Sequence, residues 1–252
     1  MRTPLVCLII LTYTTVVIAE TQNIGWNSFT FGLIWPPTYC YSYIRPIPDG
    51  VTSFTIHGLW PQIYPDITPN CTPTVKFNLT LLDPLRPELD HKWPCLRDCS
   101  AAEVFWENEF KKHGHCAVQD PQIRSVFGYF KAAVEVYNKT DLLNTLERNN
   151  IVPSNRTLYN RTYFQNVLKK EYGFPGWLLC RQGRGKGVTY YNFEEVRFCM
   201  NRSFAHINCT LFGPCPEKFY LPPFFNSSEL INVTRRRRWG STKRRPTRRR
   251  RP

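Results

Sequence analysis

After its first residues the sequence has no apolar run long enough to cross a bilayer, so it predicts no transmembrane segment. The N-terminal run from Leu5 to Ile18 is short, follows Arg2 and ends at the small residues of Val17-x-Ala19. A basic start, a short apolar stretch and a small-residue cleavage site are typical of a secretory signal peptide. We therefore predict a signal peptide at residues 1–19 and a mature chain that begins near Glu20.

The sequence also lacks a nucleotide-binding phosphate loop and the close cysteine pairs that zinc sites use. The run Gly183-Arg184-Gly185-Lys186-Gly187 lacks both the Walker spacing and the Ser or Thr after Lys, so we predict a hairpin tip there. Among the cysteines only Cys95 and Cys99 are close in sequence. The sequence therefore predicts no metal site and no cofactor.

Acidic residues are absent from the C-terminal segment Arg235 to Pro252, which holds ten Arg and one Lys. Without this segment and Arg2, the chain has 21 basic and 19 acidic residues, so its body is nearly neutral. A block of like charge predicts a disordered tail at residues 235–252, outside a single domain at residues 20–234. Three hypotheses remain open for this tail: it binds RNA, a glycosaminoglycan or another polyanion, it is cleaved off at the basic run before Trp239, or it has no role.

The cysteine and asparagine patterns agree with secretion. Of the ten cysteines Cys7 lies in the predicted signal peptide, which leaves an odd number that predicts disulfides and one cysteine that is unpaired or bonded between chains. We also predict several glycans, because the chain has nine Asn-x-Ser/Thr sequons. They lie at Asn70, Asn78, Asn138, Asn155, Asn160, Asn201, Asn208, Asn226 and Asn232.

A helix is predicted between Ser100 and Cys116. Ser100 followed by Glu103 forms a capping-box pattern, which predicts a helix start. Gly114 is a typical residue just past a helix end, and Cys116 would then tie that end to another segment. Chemically active side chains lie in its second half.

On this helix Glu109 and His113 are four residues apart, so their side chains share one face, and Lys112 lies beside them. A carboxylate, an ammonium and an imidazole within one turn make a poor ion-pair pattern and a good acid/base site. A solvated amphipathic face is the alternative for an isolated pair of this kind. A second histidine motif upstream weakens that alternative.

This second motif is Phe54-Thr55-Ile56-His57-Gly58-Leu59-Trp60-Pro61-Gln62. Residues Ser53 to Ile56 predict a short strand, which Gly58 and Pro61 should end. His57 would then lie where a strand becomes a loop, a frequent position of catalytic groups. With two histidines available, one imidazole can accept a proton while the other donates one.

The segments Ile56-His57-Gly58-Leu59-Trp60-Pro61 and Phe105-Trp106-x-x-Glu109-Phe110-x-Lys112-His113-Gly114-x-Cys116 resemble the two active-site segments of the ribonuclease T2 family. The resemblance runs from about Trp26 to about Pro223. It implies a secreted, transferase-type acid ribonuclease that acts on single-stranded RNA without a metal.

The resemblance also implies residue roles. His113 is the expected base and His57 the expected acid in a reaction that gives a 2′,3′-cyclic phosphate. Lys112 is expected to stabilise the phosphorane oxygens, and Glu109 to polarise the phosphate or share a proton with it. Trp60 is expected beside the site, either in stacking contact with substrate or as core filler.

Three positions differ from the family pattern: Asn108, His115, which stands where many relatives have Thr, and Gln62. Asn108 stands where relatives often have His, so it can donate a hydrogen bond to phosphate but carries no charge. Gln62 stands where some relatives have an acidic residue that contacts the base. Both are expected to bind substrate. His115 is expected to be a non-catalytic neighbour.

The resemblance implies the disulfides Cys71–Cys116, Cys180–Cys215 and Cys199–Cys209. Cys40, Cys95 and Cys99 are left over. For these three we favour a Cys40–Cys99 bond with Cys95 unpaired.

The order of predicted elements favours an α+β fold with an antiparallel sheet packed with helices, as the resemblance also implies. Predicted helices at residues 141–149 and 162–172 lie in the middle of the chain, and Gly173 should close the second. Predicted strands lie towards both ends: Ser28 to Trp35, Ser53 to His57, Trp177 to Arg181, Val188 to Tyr191 and Val196 to Asn201.

The leading hypothesis is therefore a secreted, glycosylated endoribonuclease, either extracellular, lysosomal or internalised by target cells. The alternative is a secreted effector that acts on host or target cells through its glycans and its Arg-rich tail, with RNA cleavage secondary. Intact His57, Glu109, Lys112 and His113 argue against an inactive enzyme.

Overall fold

The computed structural model describes residues 24–64, 66–97, 101–185, 188–210 and 213–226. The predicted signal peptide and the Arg-rich tail lie outside these ranges. The described chain combines one sheet with helices, as the predicted α+β class requires. None of its described helices has the length and apolar character of a membrane crossing.

The sheet is built around three antiparallel strands, β1 (Ser28–Ile34), β2 (Thr55–Gln62) and β5 (Val188–Asn201). β1 lies between the other two, and this order brings β2 and β5 to either side of it. Along the main path the strands follow the order β2-β1-β5-β7-β3, and two further strands pair with β5. The remaining strands are β3 (Ser154–Asn160), β4 (Trp177–Gly185), β6 (His206–Ile207) and β7 (Lys218–Leu221). The strand pairs are antiparallel except for one parallel contact between β5 and β7.

The helices cover the sheet and have identifiable ends. Ser125 accepts a hydrogen bond from the backbone N–H of Gly128 and so caps the longest one, α5. Gly173 adopts a positive φ of 84° and ends α7, as predicted. The helices are α1 (Pro36–Tyr43), α2 (Arg86–Lys92), α3 (Ala102–Glu109), α4 (His115–Ala117), α5 (Val126–Thr140), α6 (Leu142–Arg148) and α7 (Arg161–Tyr172), with a 3₁₀ turn at Leu79–Leu85 and a π-helical turn at Phe110–Gly114.

Buried aromatic rings fix the predicted catalytic helix against β2. Trp106 of α3 is fully buried and donates a hydrogen bond to the carbonyl of Trp93 at 2.8 Å. Tyr129 of α5 packs its ring on Phe110 and donates to the carbonyl of Leu59 in β2 at 3.0 Å. Because burial of one such ring contributes about 1.5–3 kcal/mol, this cluster holds the two histidine motifs in a fixed relation.

The prediction that Gly58 and Pro61 end the second strand is wrong, because β2 continues through both to Gln62. Gly58 pairs with Gly32 of β1, and Pro61 pairs with Phe29. β2 stands at the end of the strand order, where a proline that lacks its N–H is tolerated. His57 therefore lies inside a strand rather than in a loop.

The predicted helix ends are also wrong. α3 begins at Ala102 with Ala101 as a cap residue that makes no side-chain cap hydrogen bond. Glu103 is ion-paired with Arg86, and Ser100 lies outside the described residues. Gly114 does not stop the helix, which passes through the π-helical turn into α4. A Cβ at Gly114 would lie 2.3 Å from the Phe110 ring, so close packing requires glycine there.

The structure contains the three disulfides that the resemblance implied: Cys71–Cys116, Cys180–Cys215 and Cys199–Cys209. The assignment of the remaining cysteines is wrong. Cys40 is a free buried thiol that packs between Ile34 and Leu96, and burial raises its pKa to about 12. Cys95 is disulfide-bonded, with its partner outside the described residues. A bonded sulfur is not a thiolate, so Cys95 is not available as a zinc ligand.

Candidate active site

An open cleft of about 440 Å³ lies between the two histidine motifs. His57 lines it from β2, while Asn108 and Glu109 line it from α3 and Lys112 lines it from the π-helical turn. The lining also includes Ile34, Tyr39, Ile56, Pro94, Cys95, Leu96, Arg97 and Phe105. The fold thus collects most of the predicted site residues at one cleft.

His57 is held on three sides. Its Nδ1 lies 3.1 Å from Oε1 of Glu195, and its side chain is 28% exposed. Its backbone carbonyl accepts a hydrogen bond from the Trp93 indole at 3.2 Å. Its ring meets the Trp60 ring edge to face, with 4.9 Å between centroids. The imidazole therefore has a defined orientation at the cleft.

Trp60 and Glu109 form a buried pair below the cleft. The indole N–H of Trp60 donates to Oε2 of Glu109 at 2.8 Å, and both residues are under 10% exposed. Gly58 makes this contact geometrically feasible, since a Cβ there would lie 2.1 Å from Trp60 Nε1 and 2.6 Å from Glu109 Oε2. Gly58 thus has a packing role in the site, in place of the strand-ending role that the sequence suggested.

The surroundings of Glu109 favour its neutral form. Burial raises the pKa of Glu109, although the Trp60 hydrogen bond and the positive charges of His57 and Lys112 oppose that rise. A carboxyl group with a raised pKa can hold a proton in mildly acidic solution and donate a hydrogen bond.

His113 and Lys112 lie in a π-helical turn, a local distortion that often occurs at functional sites. The His113 ring packs on Trp60 with 5.7 Å between centroids, so the same indole contacts both histidines. Burial, with help from the charges of Lys112 and His57, lowers the pKa of His113 to about 4. Its buried Nδ1 has no hydrogen-bond partner within the described chain. His113 is therefore a neutral imidazole in mildly acidic solution.

The other predicted residues divide into two groups. Asn108 is exposed at the cleft, where a substrate can reach it. Gln62 is buried at the far end of β2 beside Ser28, and the cleft lining does not include it. The structure therefore does not bring Gln62 to the other site residues. His115 packs against the ring of Phe110.

Glu195 and Arg197 were missed by the sequence interpretation. Glu195 contacts His57, and Arg197 donates from Nε to Oε1 of Glu195 at 2.7 Å. The predicted strands left Glu195 in a gap, whereas β5 runs through it without a break. A usable signal was present: acidic and basic residues stand among Phe193, Val196 and Phe198, in a stretch that is otherwise apolar.

His57 from β2 and Glu109 and Lys112 from the helical segment line the cleft, and the second imidazole, that of His113, lies beside them at Trp60. Such a set of residue types is typical of acid/base enzymes. The family model described as "Ribonuclease T2 family" matches residues 26–209, which include both motifs. The chain therefore belongs to the ribonuclease T2 family and is an endoribonuclease.

Individual relatives agree with this membership. Ribonuclease Oy of Magallana gigas is 30% identical over 212 residues, which cover 81% of this chain and 99% of that protein. Extracellular ribonuclease LE of Solanum lycopersicum is 29% identical over 208 residues, or 78% of this chain and 86% of that one. The solved structure of RNase NT in complex with 5′-AMP has a TM-score of 0.68 and 27% identity, and the match covers 79% of this chain and 99% of that one.

Proposed function

We propose that this chain cleaves single-stranded RNA by attack of the ribose 2′-hydroxyl on the adjacent phosphorus, without a metal. His113 accepts the proton of the 2′-hydroxyl, and the bond between phosphorus and the 5′-oxygen breaks. His57 donates a proton to that leaving oxygen, and the product is a 2′,3′-cyclic phosphate. Water can open this ring in the reverse sense, with the two imidazoles exchanging roles.

The observation that carries this proposal is that both imidazoles contact the Trp60 ring, His57 at 4.9 Å and His113 at 5.7 Å between ring centroids. The low pKa of His113 supplies a neutral base in mildly acidic solution. His57 Nδ1 lies 3.1 Å from Oε1 of Glu195, a contact that holds the imidazole at the cleft. The two imidazoles thus stand in different surroundings: His57 contacts a carboxylate, whereas burial lowers the pKa of His113.

Four further residues complete the proposed site. Lys112 places a positive charge beside His113, where it stabilises the charge that develops on the phosphorane oxygens. Glu109 in its protonated form donates a hydrogen bond to a phosphoryl oxygen or shares its proton with it. Exposed Asn108 donates a neutral hydrogen bond to phosphate, and Trp60 supports the two imidazoles and Glu109.

The reaction is tested directly by the ends of its products. Purified protein is incubated with RNA in the presence of a metal chelator, and the fragments are analysed by mass spectrometry. We expect 2′,3′-cyclic phosphate ends and an undiminished rate. Loss of activity on chelation, restored by zinc or magnesium, would contradict the proposal, as would fragments with only 5′-phosphate ends.

We predict a bell-shaped pH profile with its maximum in mildly acidic solution. The rate rises as pH passes the pKa of His113, since only the neutral imidazole accepts a proton, and falls when His57 loses its proton.

Lys112 helps to lower the pKa of His113, so Lys112→Met should move the acidic limb of the pH profile to higher pH. It should also lower kcat by about 10²-fold, because the positive charge that stabilises the phosphorane oxygens is lost.

Lys111→Met is the matched control. Lys111 is exposed and ion-paired with Glu107 at 2.7 Å, so its removal should leave both the limb and kcat nearly unchanged. The measurement is kcat as a function of pH for wild type, Lys112→Met and Lys111→Met on the same dinucleotide. Superimposable acidic limbs for wild type and Lys112→Met would count against His113 as the base.

We also propose that the protein is secreted and glycosylated, with residues 20–234 as its catalytic domain. The signal-peptide pattern at residues 1–19 supports this, as does the relative from tomato that is named an extracellular ribonuclease. Several sequon asparagines are exposed and open to a glycosyltransferase: Asn70, Asn78, Asn138, Asn155 and Asn208. The relatives are ribonucleases, so they favour the enzyme over the effector hypothesis.

For the tail we propose polyanion binding. The ten Arg and one Lys between Arg235 and Pro252 carry no acidic neighbour, so they pair with phosphate or sulfate and release counterions. Affinity for heparin should fall steeply with salt in the full-length protein, and deletion of Arg235 to Pro252 should flatten that dependence. Turnover of a dinucleotide should stay unchanged, because the tail lies outside both catalytic motifs. Equal heparin retention of the two proteins would exclude this role.

A further inference from the structure

Glu195 is the acidic residue that contacts His57, although it lies on a different strand. The Glu195 side chain is 8% exposed, and its Oε1 lies 3.1 Å from His57 Nδ1. The same oxygen accepts a hydrogen bond from Arg197 Nε at 2.7 Å. A buried carboxylate with these two partners has little freedom to turn away.

β1 lies between the strands of the two residues, so the contact crosses β1. Adjacent strands are about 4.8 Å apart, and His57 and Glu195 therefore have to meet above the middle strand. Gly32 of β1 leaves the space for this. A Cβ on Gly32 would lie 3.1 Å from Glu195 Oε1 and 3.2 Å from His57 Cβ.

The charge state of Glu195 suits a partner of an imidazole. Burial by itself raises the pKa of Glu195, but the hydrogen bond and charge of His57, together with Arg197, bring it below its ordinary value. An ionised carboxylate only accepts hydrogen bonds, so His57 Nδ1 must carry the hydrogen in this contact. The other nitrogen, Nε2, is then the one that exchanges a proton during the reaction.

We infer that Glu195 is a positioning residue for His57, which fixes the ring and its tautomer and stabilises the imidazolium that donates the proton. This inference rests on the proposed function, in which His57 is the acid. We assign the effect of Glu195 to His57 because it contacts His57 directly and the cleft lining does not include it. The same arrangement of carboxylate and imidazole supports acid/base catalysis in unrelated folds.

Arg197 supports Glu195 in turn. Its guanidinium lies over the rings of Trp60 and Trp177, at 5.1 Å and 4.8 Å from their centroids, which fixes the side chain. A purely structural role, with Glu195 only as the counter-ion of Arg197, is the competing explanation. Charged groups around Glu195 that bear on a pH profile are His57 from β2, Arg197 from β5 and Glu109 from α3.

The test is Glu195→Gln, with Glu194→Gln as the matched control. The two acids are adjacent on β5, both are buried, and Glu194 is ion-paired with Arg181 as Glu195 is with Arg197. We expect Glu195→Gln to lower kcat by about 10- to 100-fold with little change in KM, because the ring loses its fixed geometry. The basic limb of its pH profile should move to lower pH, because a neutral amide no longer stabilises the imidazolium. Glu194→Gln should change neither.

A second substrate separates positioning from general damage. Uridine 3′-(4-nitrophenyl) phosphate has a leaving group that departs without a proton, so it does not need an acid. The Glu195→Gln defect should shrink on it to less than about threefold. A structural role predicts the same loss on both substrates, lower thermal stability and an unmoved basic limb, and that set of results overturns the inference.

Two measurements keep this inference separate from the proposed function. If His57→Phe is inactive but Glu195→Gln has the normal rate and pH profile, only the inference about Glu195 is wrong. An active His57→Phe would contradict the proposed function itself. In the His57→Phe background the Glu195→Gln change should cause no further loss. Should Glu195→Gln not fold, ¹⁵N NMR of the wild-type protein still decides, since an unprotonated His57 Nδ1 overturns the inference.

Discussion

His57→Phe and His113→Phe should each lower kcat on RNA by about 10²–10⁴-fold, because each removes one of the two proton transfers. Phenylalanine roughly preserves the ring shape, and the Trp60 ring that contacts both imidazoles should hold it in place. The thermal unfolding midpoint should therefore change little. Steady-state rates on a dinucleotide, together with a melting curve for each variant, provide the measurement.

The nitrophenyl substrate should separate the two variants. His57→Phe should regain most of its rate there, because no acid is required, whereas His113→Phe should stay slow, because the 2′-hydroxyl still needs a base. His91→Phe is the control, since His91 lies exposed on α2 and is absent from the cleft lining. The assignment of base and acid would be reversed if His113→Phe were the variant that recovers. Normal cleavage of RNA by a folded protein that carries both His57→Phe and His113→Phe would contradict the mechanism.

Gly58→Ala should disable the site through packing alone. The added Cβ would lie 2.1 Å from Trp60 Nε1 and 2.6 Å from Glu109 Oε2, so the hydrogen bond between these side chains cannot survive unchanged. We expect kcat to fall by about 10²-fold, since small displacements of catalytic groups have effects of that size. Overpacking should also lower the free energy of unfolding by about 1–3 kcal/mol, measured by urea denaturation.

Gly183→Ala is the matched control for this variant. Gly183 is also a strand glycine, and a Cβ there would meet the ring of Tyr190 at 2.4 Å, but it lies on β4 outside the cleft lining. It should affect stability without affecting kcat. A Gly58→Ala protein with normal kcat would show that the contact between Trp60 and Glu109 is dispensable for the reaction.

Local patterns in the sequence predicted much of the fold and of the site. β1, α6 and α7 follow from strand propensity, helical spacing and the glycine at position 173, which act over a few neighbouring residues. His57, Glu109, Lys112 and His113 stand in two motifs whose residue types and spacing imply acid/base chemistry, and the structure places all four around one cleft or beside it.

Tertiary context decided the features that local patterns missed. Gly58 and Pro61 are usually strand breakers, but β2 continues through them because Gly58 packs under Trp60 and Pro61 stands on a strand at the end of the order. Gln62 was predicted at the substrate and is buried at the far end of the same strand. In each case burial and pairing outweighed the local preference.

Cysteine pairing shows the same limit. Three disulfides follow from the family resemblance, while the state of Cys40 and Cys95 depends on which sulfur the folded chain buries. Cys40 lies in an apolar cluster with Ile34 and Leu96, where it is a free, buried thiol. Sequence spacing carries no information on that burial.

The sequence by itself thus determined which groups can perform the chemistry, since residue types and short spacings suffice for that. Only the tertiary structure decided what orients them. Glu195 lies 138 positions after His57 and reaches it across β1 because strand order, register and the bare backbone of Gly32 leave that path open. A contact of this kind depends on pairing between distant strands, and no local periodicity of the chain encodes it.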